Sequence, residues 1–399
     1  MTKYSKVPFS EIATLIRGVS YDKKVASVLA KDGYIPVLRA NNIQKSLVLA
    51  DLVYVPSDLV KEEQMIRKGD IVLAMSSGSK DLVGKSAQAD SNLGAAFGTF
   101  CGLIRAKENI DSKFLGLYFQ TQEYRNFVSY QSQGVNICNL KKKDIESLQI
   151  PLPPLPPQHT IVSRIESLFA ELDKAVQHLR TAQQQIKTYR QAVLNHWLNN
   201  EDEKWETMKL GEVANMCLGK MLDKNKNKGT YQPYLRNVNV RWGSFDLDDL
   251  LEMKFEESEQ DRYGIQIGDL IMCEGGEPGR CAIWNADVPN MKIQKALHRI
   301  RVKDVVYNKF LYSLFSLYAL NGYLEKYFTG TTIKHLTGQS LKSIEIPLPP
   351  LPEQQRIVQE IESRLSQAEA AEVRIAESLQ KTEALRQSIL KKAFSGELV

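Results

Sequence analysis

The chain has 399 residues, of which 43% are hydrophobic and 25% charged, and its formal net charge is +5 at pH 7. This length suffices for about two or three domains with sizeable cores, and no window approaches the roughly 18 consecutive apolar residues of a membrane span. Five cysteines without close pairs and an N-terminus without an apolar signal segment favour reduced thiols in a cytoplasm. The positive charge permits nucleic-acid binding but does not establish it.

Residues 1–150 have the pattern of a strand-rich globular domain. Short apolar runs such as IPVL, DIVLAM and FCGLI are separated by Gly, Asn and Ser, as is typical of short β-strands. One or two helical stretches follow, including FLGLYFQTQEYRNFVSY. These residues are predicted to form the first domain.

A proline-rich run, IPLPPLP at 150–156, separates this domain from a predicted long helix within 151–200. Proline cannot continue a sheet interior, and its fixed φ suits the first turn of a helix. Residues 158–198 contain no Gly or Pro, and their apolar residues follow the spacing of a coiled-coil seam: Ile161, Ile165, Leu168, Leu172, Ala175, Leu179, Ala182, Ile186, Tyr189 and Val193. The alternative, a PxxP ligand for an SH3-like module, fits less well because a docking peptide need not be duplicated in register with a helix start.

The run IPLPPLP recurs at 346–352, and it belongs to an internal repeat. Residues 134–198 align with 330–394 without a gap, and the earlier segments GYIPVLRANNI and TYQPYLRNVNV align more loosely. The repeated unit is about 200 residues long, which indicates domain duplication rather than a short-period solenoid.

The repeat predicts a second domain at 201–346 and a second coiled-coil helix with a C-terminal tail at 347–399. This helix keeps a seam of Ile357, Ile361, Leu365, Ala368, Ile375, Leu379, Leu385 and Ile389. If a twofold axis relates the copies, the two helices pair antiparallel. The expected fold class is therefore α+β: two β-rich domains separated by two long antiparallel coiled-coil helices in a pseudo-twofold repeat.

Motifs for catalysis are missing. The loop GSKDLVGKS at 78–86 departs from Walker A spacing, and no [DN]PP[YFW] motif of an amino-methyltransferase occurs. The segment Glu252-Met-Lys254 has neighbouring aspartates but does not have the spacing of a nuclease motif. The histidines and cysteines lack the spacing of a metal site. No catalytic residue and no bound metal or cofactor is therefore expected, which favours a recognition scaffold.

The phrases IPLPPLPEQQRIV, LRQSILKKAFSGELV, SSGSKDLVGKSA and GDLIMCEGG resemble the specificity subunits of bacterial and archaeal type I restriction–modification enzymes. The resemblance covers essentially the whole chain. One departure is that the first helix ends LNHWLNN rather than AFSGEL.

The resemblance implies that each domain is a target recognition domain that reads one half of a bipartite site in double-stranded DNA. The helices would form the spacer and dock two modification subunits, which bind S-adenosylmethionine and methylate adenine. Restriction subunits would supply ATP- and Mg-dependent translocation and cleavage, and this chain would be non-catalytic and cytoplasmic.

DNA-contact candidates are loop residues whose repeat position and chemistry agree, because Arg pairs with guanine, Asn with adenine and Lys with phosphate. In domain 1 they are Arg39, Asn41, Asn42, Ser77, Ser79, Lys80, Lys85, Asn136 and Asn139. In domain 2 they are Lys220, Lys224, Lys226, Lys228, Arg236, Asn237, Arg280, Lys334 and His335. For any one of them, the alternative is a solvated surface residue.

Three other functions stay open at the sequence level. The chain could be the recognition subunit of another methyltransferase–nuclease system, a coiled-coil adaptor that binds no DNA, or an enzyme with an unrecognised site. Salt-dependent, sequence-selective DNA binding separates the recognition subunits from the adaptor. The bases of each half-site do not follow from the sequence, because base choice depends on loop geometry.

Overall fold

The computed structural model describes residues 3–77, 82–131, 138–199, 205–223 and 225–399. The chain divides into two compact units. Unit 1 comprises Met1–Leu179 and Ala376–Val399, and unit 2 comprises Arg180–Ile375. Each unit therefore contains one strand-rich domain together with segments of both long helices.

The strands of unit 1 are short, as the broken apolar runs predict. They are β1 (Lys6–Pro8), β2 (Ala13–Arg17), β3 (Tyr34–Leu38), β4 (Val53–Pro56), β5 (Ile71–Ala74), β6 (Ser76–Ser77), β7 (Ser86–Gln88), β8 (Ala96–Phe97), β9 (Cys101–Ala106), β10 (Cys138–Asn139) and β11 (Gln149–Pro151). One sheet has the order β2-β9-β5-β7 and is antiparallel. In a second sheet β3 pairs antiparallel with β4 and parallel with β8, and β1-β11 and β10-β6 form two small ribbons.

The helices that begin in unit 1 are α1 (Phe9–Ile12), α2 (Ser112–Tyr118), α3 (Gln122–Gln131), α4 (Lys142–Glu146) and α5 (Leu155–Leu198). Helix α2 starts at an N-cap, Asp111, whose carboxylate accepts hydrogen bonds from the backbone N–H groups of Lys113 and Phe114. The main core of unit 1 joins residues of these helices and of the first sheet to Ile161 and Ile165 of α5. Burying that apolar stripe is what fixes the helix to the domain.

Unit 2 repeats this topology. Its strands are β12 (Glu206–Lys209), β13 (Ala214–Leu218), β14 (Thr230–Leu235), β15 (Val240–Arg241), β16 (Ser244–Phe245), β17 (Leu251–Phe255), β18 (Leu270–Cys273), β19 (Cys281–Ile283), β20 (Lys292–Ile293), β21 (Leu297–Val302) and β22 (Glu345–Leu348). The sheet β13-β21-β18-β19 corresponds to β2-β9-β5-β7, and β17-β14-β20 corresponds to β4-β3-β8, including the parallel pair. Strands β12 and β22 pair as β1 and β11 do.

The remaining helices are α6 (Leu210–Val213), α7 (Gln260–Tyr263), α8 (Asn308–Leu320), α9 (Gly338–Lys342) and α10 (Leu351–Ser395). Both long helices begin inside the proline run, so the prediction that its last prolines lie in the first helical turn is confirmed. Together with the two strand-rich domains and the repeat, this confirms the predicted α+β fold class.

A buried glutamine fixes each long helix to its domain. Gln158 is 1% exposed, and its side chain accepts from the backbone N–H of Asp111 (2.9 Å) and donates to the carbonyl of Pro153 (2.8 Å). An ion pair of Lys113 with Glu166, 2.6 Å long, lies about two turns further along the helix. The amide therefore ties three segments together: the domain, the proline run and the helix.

Unit 2 contains the same junction. Gln354 is fully buried, accepts from the N–H of Tyr307 (2.7 Å) and donates to the carbonyls of Val305 (2.9 Å) and Pro349 (2.8 Å). The ion pair of Lys309 with Glu362, 2.8 Å long, matches that of unit 1. The identical glutamine of the two sequence repeats thus has an identical structural role.

In unit 2 the end of α5 lies antiparallel to the start of α10. Arg190 forms an ion pair with Glu372 at 3.0 Å, and the guanidinium groups of Arg356 and Arg364 lie over the ring of Trp197 at 5.4 and 5.5 Å. As α5 advances, its partners therefore move back along α10. Partly exposed ion pairs contribute only ~0–1 kcal/mol each, so apolar burial carries most of this contact.

The predicted seam of α5 is unevenly buried. Ile161, Ile165 and Val193 are buried in the cores of their units, whereas Ala175 and Tyr189 are exposed. The spacing of the seam residues predicts the helix correctly. Seam residues are fully buried, however, only in the segments of α5 that contact a domain.

Candidate nucleic-acid interface

A 3₁₀ turn follows β3 in unit 1, and Asn42 organises it. The Asn42 side chain accepts from the N–H of Arg39 (2.9 Å) and donates to the carbonyls of Val48 (2.9 Å) and Ala50 (2.7 Å). Asn42 is 1% exposed, so the structure places it inside the loop rather than on the surface. Arg39 and Asn41 are exposed on the same turn.

Unit 2 has the same turn after β14, where Asn239 takes the place of Asn42. Its side chain accepts from the N–H of Arg236 (2.9 Å) and donates to the carbonyls of Asp246 (3.0 Å) and Asp249 (3.2 Å). Arg236 is half-buried, because its guanidinium bonds to the carbonyl and carboxylate of Asp249 at 2.8 and 2.7 Å. The neighbouring Asn237, also predicted as a DNA contact, is half-buried as well.

The second pair of loops joins β5 to β7 and β18 to β19. The N–H of Ala74 donates to the carbonyl of Lys85 (2.9 Å), and the N–H of Cys273 donates to that of Arg280 (2.8 Å). Lys85 and Arg280 thus occupy equivalent positions, each preceded by a glycine at positive φ (+74° and +93°), where other residues are strained.

The side chain of Arg280 forms hydrogen bonds within unit 2. Its guanidinium donates to the Glu277 carboxylate (2.6 Å) and to the Asn237 carbonyl (2.9 Å). These bonds connect the β18–β19 loop to the turn after β14. The structure therefore brings Arg280 and Asn237 together.

The third pair of segments contains Asn139 and His335. Asn139 pairs with Ser76 in the β10–β6 ribbon, and the next residue, Leu140, donates its N–H to the carbonyl of Met75 (2.8 Å). In unit 2 the N–H of Leu336 donates in the same way to the carbonyl of Glu274 (2.8 Å). Asn139 and His335 are exposed at equivalent positions, and Lys334 is exposed beside His335.

A tight turn lies between these loops in each unit. In unit 1 the N–H of Gly98 donates to the carbonyl of Leu38 (2.9 Å), next to Arg39, and the carbonyl of Phe100 accepts from Met75 (2.8 Å) and Ser76 (3.2 Å). All three loops therefore meet at the turn 98–101.

In unit 2 the turn 294–297 makes the same connections. Gln294 donates its N–H to the carbonyl of Leu235 (3.1 Å), and the carbonyl of Ala296 accepts from Glu274 (2.9 Å). Lys295 is exposed at its apex. The sequence interpretation missed both turns, although continuing the gap-free repeat register toward the N-terminus pairs Thr99 with Lys295 and Phe100 with Ala296.

We define the reading face of a unit as its three loops and the turn between them. In unit 1 it contains Arg39, Asn41, Ser77, Lys85 and Asn139 of the predicted residues. In unit 2 it contains Arg236, Asn237, Arg280, Lys334 and His335. The predicted residues Ser79, Lys80, Asn136 and Lys224 lie outside the described residues.

The other predicted lysines of unit 2 lie elsewhere. Lys220 is 8% exposed, and its ammonium group contacts the carbonyl of Lys254 (3.0 Å) and the carboxylate of Glu259. The structure therefore places it in the interior, where it braces β17. Lys226 and Lys228 are exposed on the loop before β14, with the Lys226 ammonium 3.6 Å from the Asp223 carboxylate.

A buried histidine supports the reading face of unit 2. The Nε2 atom of His298 lies 2.9 Å from the carbonyl of Leu336, which fixes Nε2 as the protonated nitrogen. Burial lowers the pKa of His298, so the ring is neutral in the folded protein near pH 7. In the described part of the chain, no three His, Cys, Asp or Glu side chains cluster as metal ligands.

This duplicated arrangement matches a known family twice along the chain. The family model of the type I restriction modification DNA specificity domain matches residues 1–179 and again 202–380. The chain belongs to this family. Its members' role is DNA specificity, and two copies in one chain correspond to recognition of a bipartite site.

Individual relatives agree with the family match. The specificity subunit of the type I restriction enzyme EcoKI of Escherichia coli is 33% identical over 418 residues, covering 98% of this chain and 88% of that protein. The StySPI specificity subunit of Salmonella potsdam is 32% identical, covering 99% of this chain and 89% of that protein.

The fold is shared with a solved chain from work on the assembly and conformational transition of a type I R-M system. That chain is 21% identical, with a TM-score of 0.75 and coverage of 99% of this chain and 98% of its own length. None of the helices described is both long and apolar enough to pass through a membrane.

Proposed function

We propose that this chain is the sequence-reading subunit of a type I restriction–modification enzyme, and that each unit reads one half-site through its reading face. One observation carries the proposal: the same loop scaffold occurs twice with different exposed side chains. The exposed Asn139 in one unit corresponds to the exposed His335 in the other, and the half-buried Lys85 and Arg280, at another equivalent position, also differ. A conserved scaffold with changed surface chemistry is what two readers of different sequences require.

The chain itself is proposed to be non-catalytic. The modification subunits would bind S-adenosylmethionine and methylate adenine, and the restriction subunits would use ATP and Mg. The names of the EcoKI and StySPI relatives support such an assembly, since each is the specificity subunit of a larger enzyme. Incubation of the isolated chain with DNA and labelled S-adenosylmethionine tests this: sustained methyl transfer would refute it.

The reading faces are tested by two variants, Asn139→Ala and His335→Ala. Both side chains are exposed, so truncation leaves the scaffold bonds intact. A base contact is worth ~1–3 kcal/mol, so each variant should lose about 5- to 150-fold in affinity or selectivity for its own half-site. Binding of the assembled enzyme to DNA with single substitutions in each half-site provides the measurement.

Each variant is the control of the other. Asn139→Ala should relax selectivity in the first half-site only, and His335→Ala in the second only. Salt dependence should persist in both, because phosphate contacts remain. Equal loss at both half-sites, or wild-type binding without any sequence selectivity, would contradict the proposed function.

A further inference from the structure

One exposed aromatic side chain lies where the loops of unit 1 meet. Phe100 is 67% exposed, although a phenylalanine normally buries its ring. It occupies the turn between β8 and β9, where Cys101 donates its N–H to the carbonyl of Gly98 (2.8 Å). The side chain is therefore presented by a short, hydrogen-bonded turn on the sheet rather than by a long loop.

The backbone around Phe100 is fixed to every part of the reading face. Its own carbonyl accepts from Met75 and Ser76, at 2.8 and 3.2 Å, and Gly98 of the same turn is bonded to the residue before Arg39. Ser76 in turn pairs with Asn139. The turn that carries this ring is therefore bonded to the segments that hold residues predicted to contact DNA, and these backbone bonds do not depend on the Phe100 side chain.

Unit 2 has no equivalent ring. The matching residue is Ala296, and the exposed residue of that turn is Lys295. The scaffold therefore does not need an aromatic residue at this point, which excludes a folding role common to both units. The difference is confined to the exposed surface of one reader.

We propose that Phe100 is a specificity-determining residue of unit 1 that packs its ring on bases of the first half-site. Exposed aromatic and apolar side chains on DNA-binding surfaces stack on bases or wedge between base steps. In unit 2 the neighbouring position of the equivalent turn carries an exposed lysine, Lys295, which would contact phosphate instead. This inference rests on the proposed function, because it requires the reading face to contact DNA.

The test compares Phe100→Ala with Phe100→Trp in the full chain assembled with its modification subunits. Phe100→Ala places at this position the residue that unit 2 has there, Ala296, so the turn should still form. The melting temperature of the variant should therefore equal that of the wild type. Its affinity for cognate DNA should fall about tenfold, with relaxed selectivity at base pairs of the first half-site only. Phe100→Trp keeps an aromatic ring at this position, so its affinity for cognate DNA should be close to that of the wild type.

Phe100→Trp also gives a direct readout. The native tryptophans 197, 205, 242 and 284 all lie in the range of unit 2, so the difference from wild-type fluorescence reports the ring at position 100. Its emission should be quenched by cognate DNA. A matched control is Leu59→Ala, an exposed apolar residue that follows β4 at the end of the β3–β4 pair away from Arg39, and it should bind like the wild type.

Two failures are distinguishable. If the wild-type enzyme binds selectively but Phe100→Ala keeps its affinity and its half-site profile, Phe100 is not a reader, and the proposed function stands. If the wild type itself shows no selectivity, the proposed function fails. An unquenched tryptophan at position 100 in the bound complex also overturns the assignment.

Discussion

At the scale of single residues, buried side-chain amides hold loops and helices in place alongside the apolar core. Asn42 and Asn239 organise the reading loops, and Gln158 and Gln354 anchor the long helices. Each satisfies backbone groups that the loop or the proline run leaves without partners, and an unsatisfied buried group costs ~1–3 kcal/mol. Such residues are polar in the sequence yet act as part of the core.

The helix anchor gives a stability prediction. Gln354→Met preserves the side-chain volume but removes three hydrogen bonds to Tyr307, Val305 and Pro349. We expect the free energy of unfolding to fall by about 2–4 kcal/mol, measured by denaturant unfolding. The control, Gln355→Met, changes an exposed neighbour. It should stay within ~0.5 kcal/mol of the wild type, and an equal loss in both variants would show that the buried amide is not the cause.

His298 gives a pH prediction. Burial lowers its pKa, so below the ordinary histidine value of about 6.5 the unfolded chain binds a proton more readily than the folded chain. The stability contributed by this residue is present above that pH and is lost as the pH falls. His298→Gln should therefore flatten the acid side of a stability–pH curve between about pH 6.5 and 5, measured by urea unfolding. Parallel curves for the wild type and the variant in that range would contradict this.

At the scale of elements, the two long helices and the loop scaffold have different origins. Helix α5 spans 44 residues and α10 spans 45, and both follow from an apolar periodicity that contains no Gly or Pro after the first turn. The reading loops depend on non-local hydrogen bonds, such as that from Gly98 to Leu38, and on glycines at positive φ. Periodicity therefore predicts the helices well but carries no information on which loops meet.

This difference explains what could be predicted from the sequence. The repeat, the strand-rich domains and the helix starts at the proline run follow from local patterns and are confirmed. The interior positions of Asn42 and Lys220 do not follow, because an isolated Asn or Lys in a loop has the same sequence signal whether it faces solvent or the loop itself. Phe100 was missed because an aromatic residue beside a strand is normally assigned to the core.

The length of α5 gives a prediction about the DNA site. Four residues inserted after Gln184 would lengthen the helix by about 6 Å at ~1.5 Å per residue. If the helix sets the spacing between the half-sites, the gap should grow by about one base pair, with some loss of affinity because the DNA must twist or bend to fit. Methylome sequencing of the insertion variant checks this: an unchanged gap with altered half-site bases would refute it.

At the scale of the whole molecule, the chain is one fold used twice. The two units share their sheet orders, the parallel strand pair, the buried glutamine and the adjoining ion pair. They differ in the exposed residues of their reading faces, as Asn139 and His335 illustrate. Duplication followed by divergence of the surface explains how one polypeptide can recognise two different half-sites and so multiply its selectivity.

The central claim, that each unit reads its own half-site, is tested most directly by replacing residues 1–150 with the corresponding domain of another family member. The donor must keep the backbone partner of Gln158, so that the helix junction still forms. The measurement is a map of methylated adenines in a host that expresses the hybrid together with its modification subunits. The account predicts a new first half-site and an unchanged second half-site. A change in both half-sites, or in neither, would contradict it.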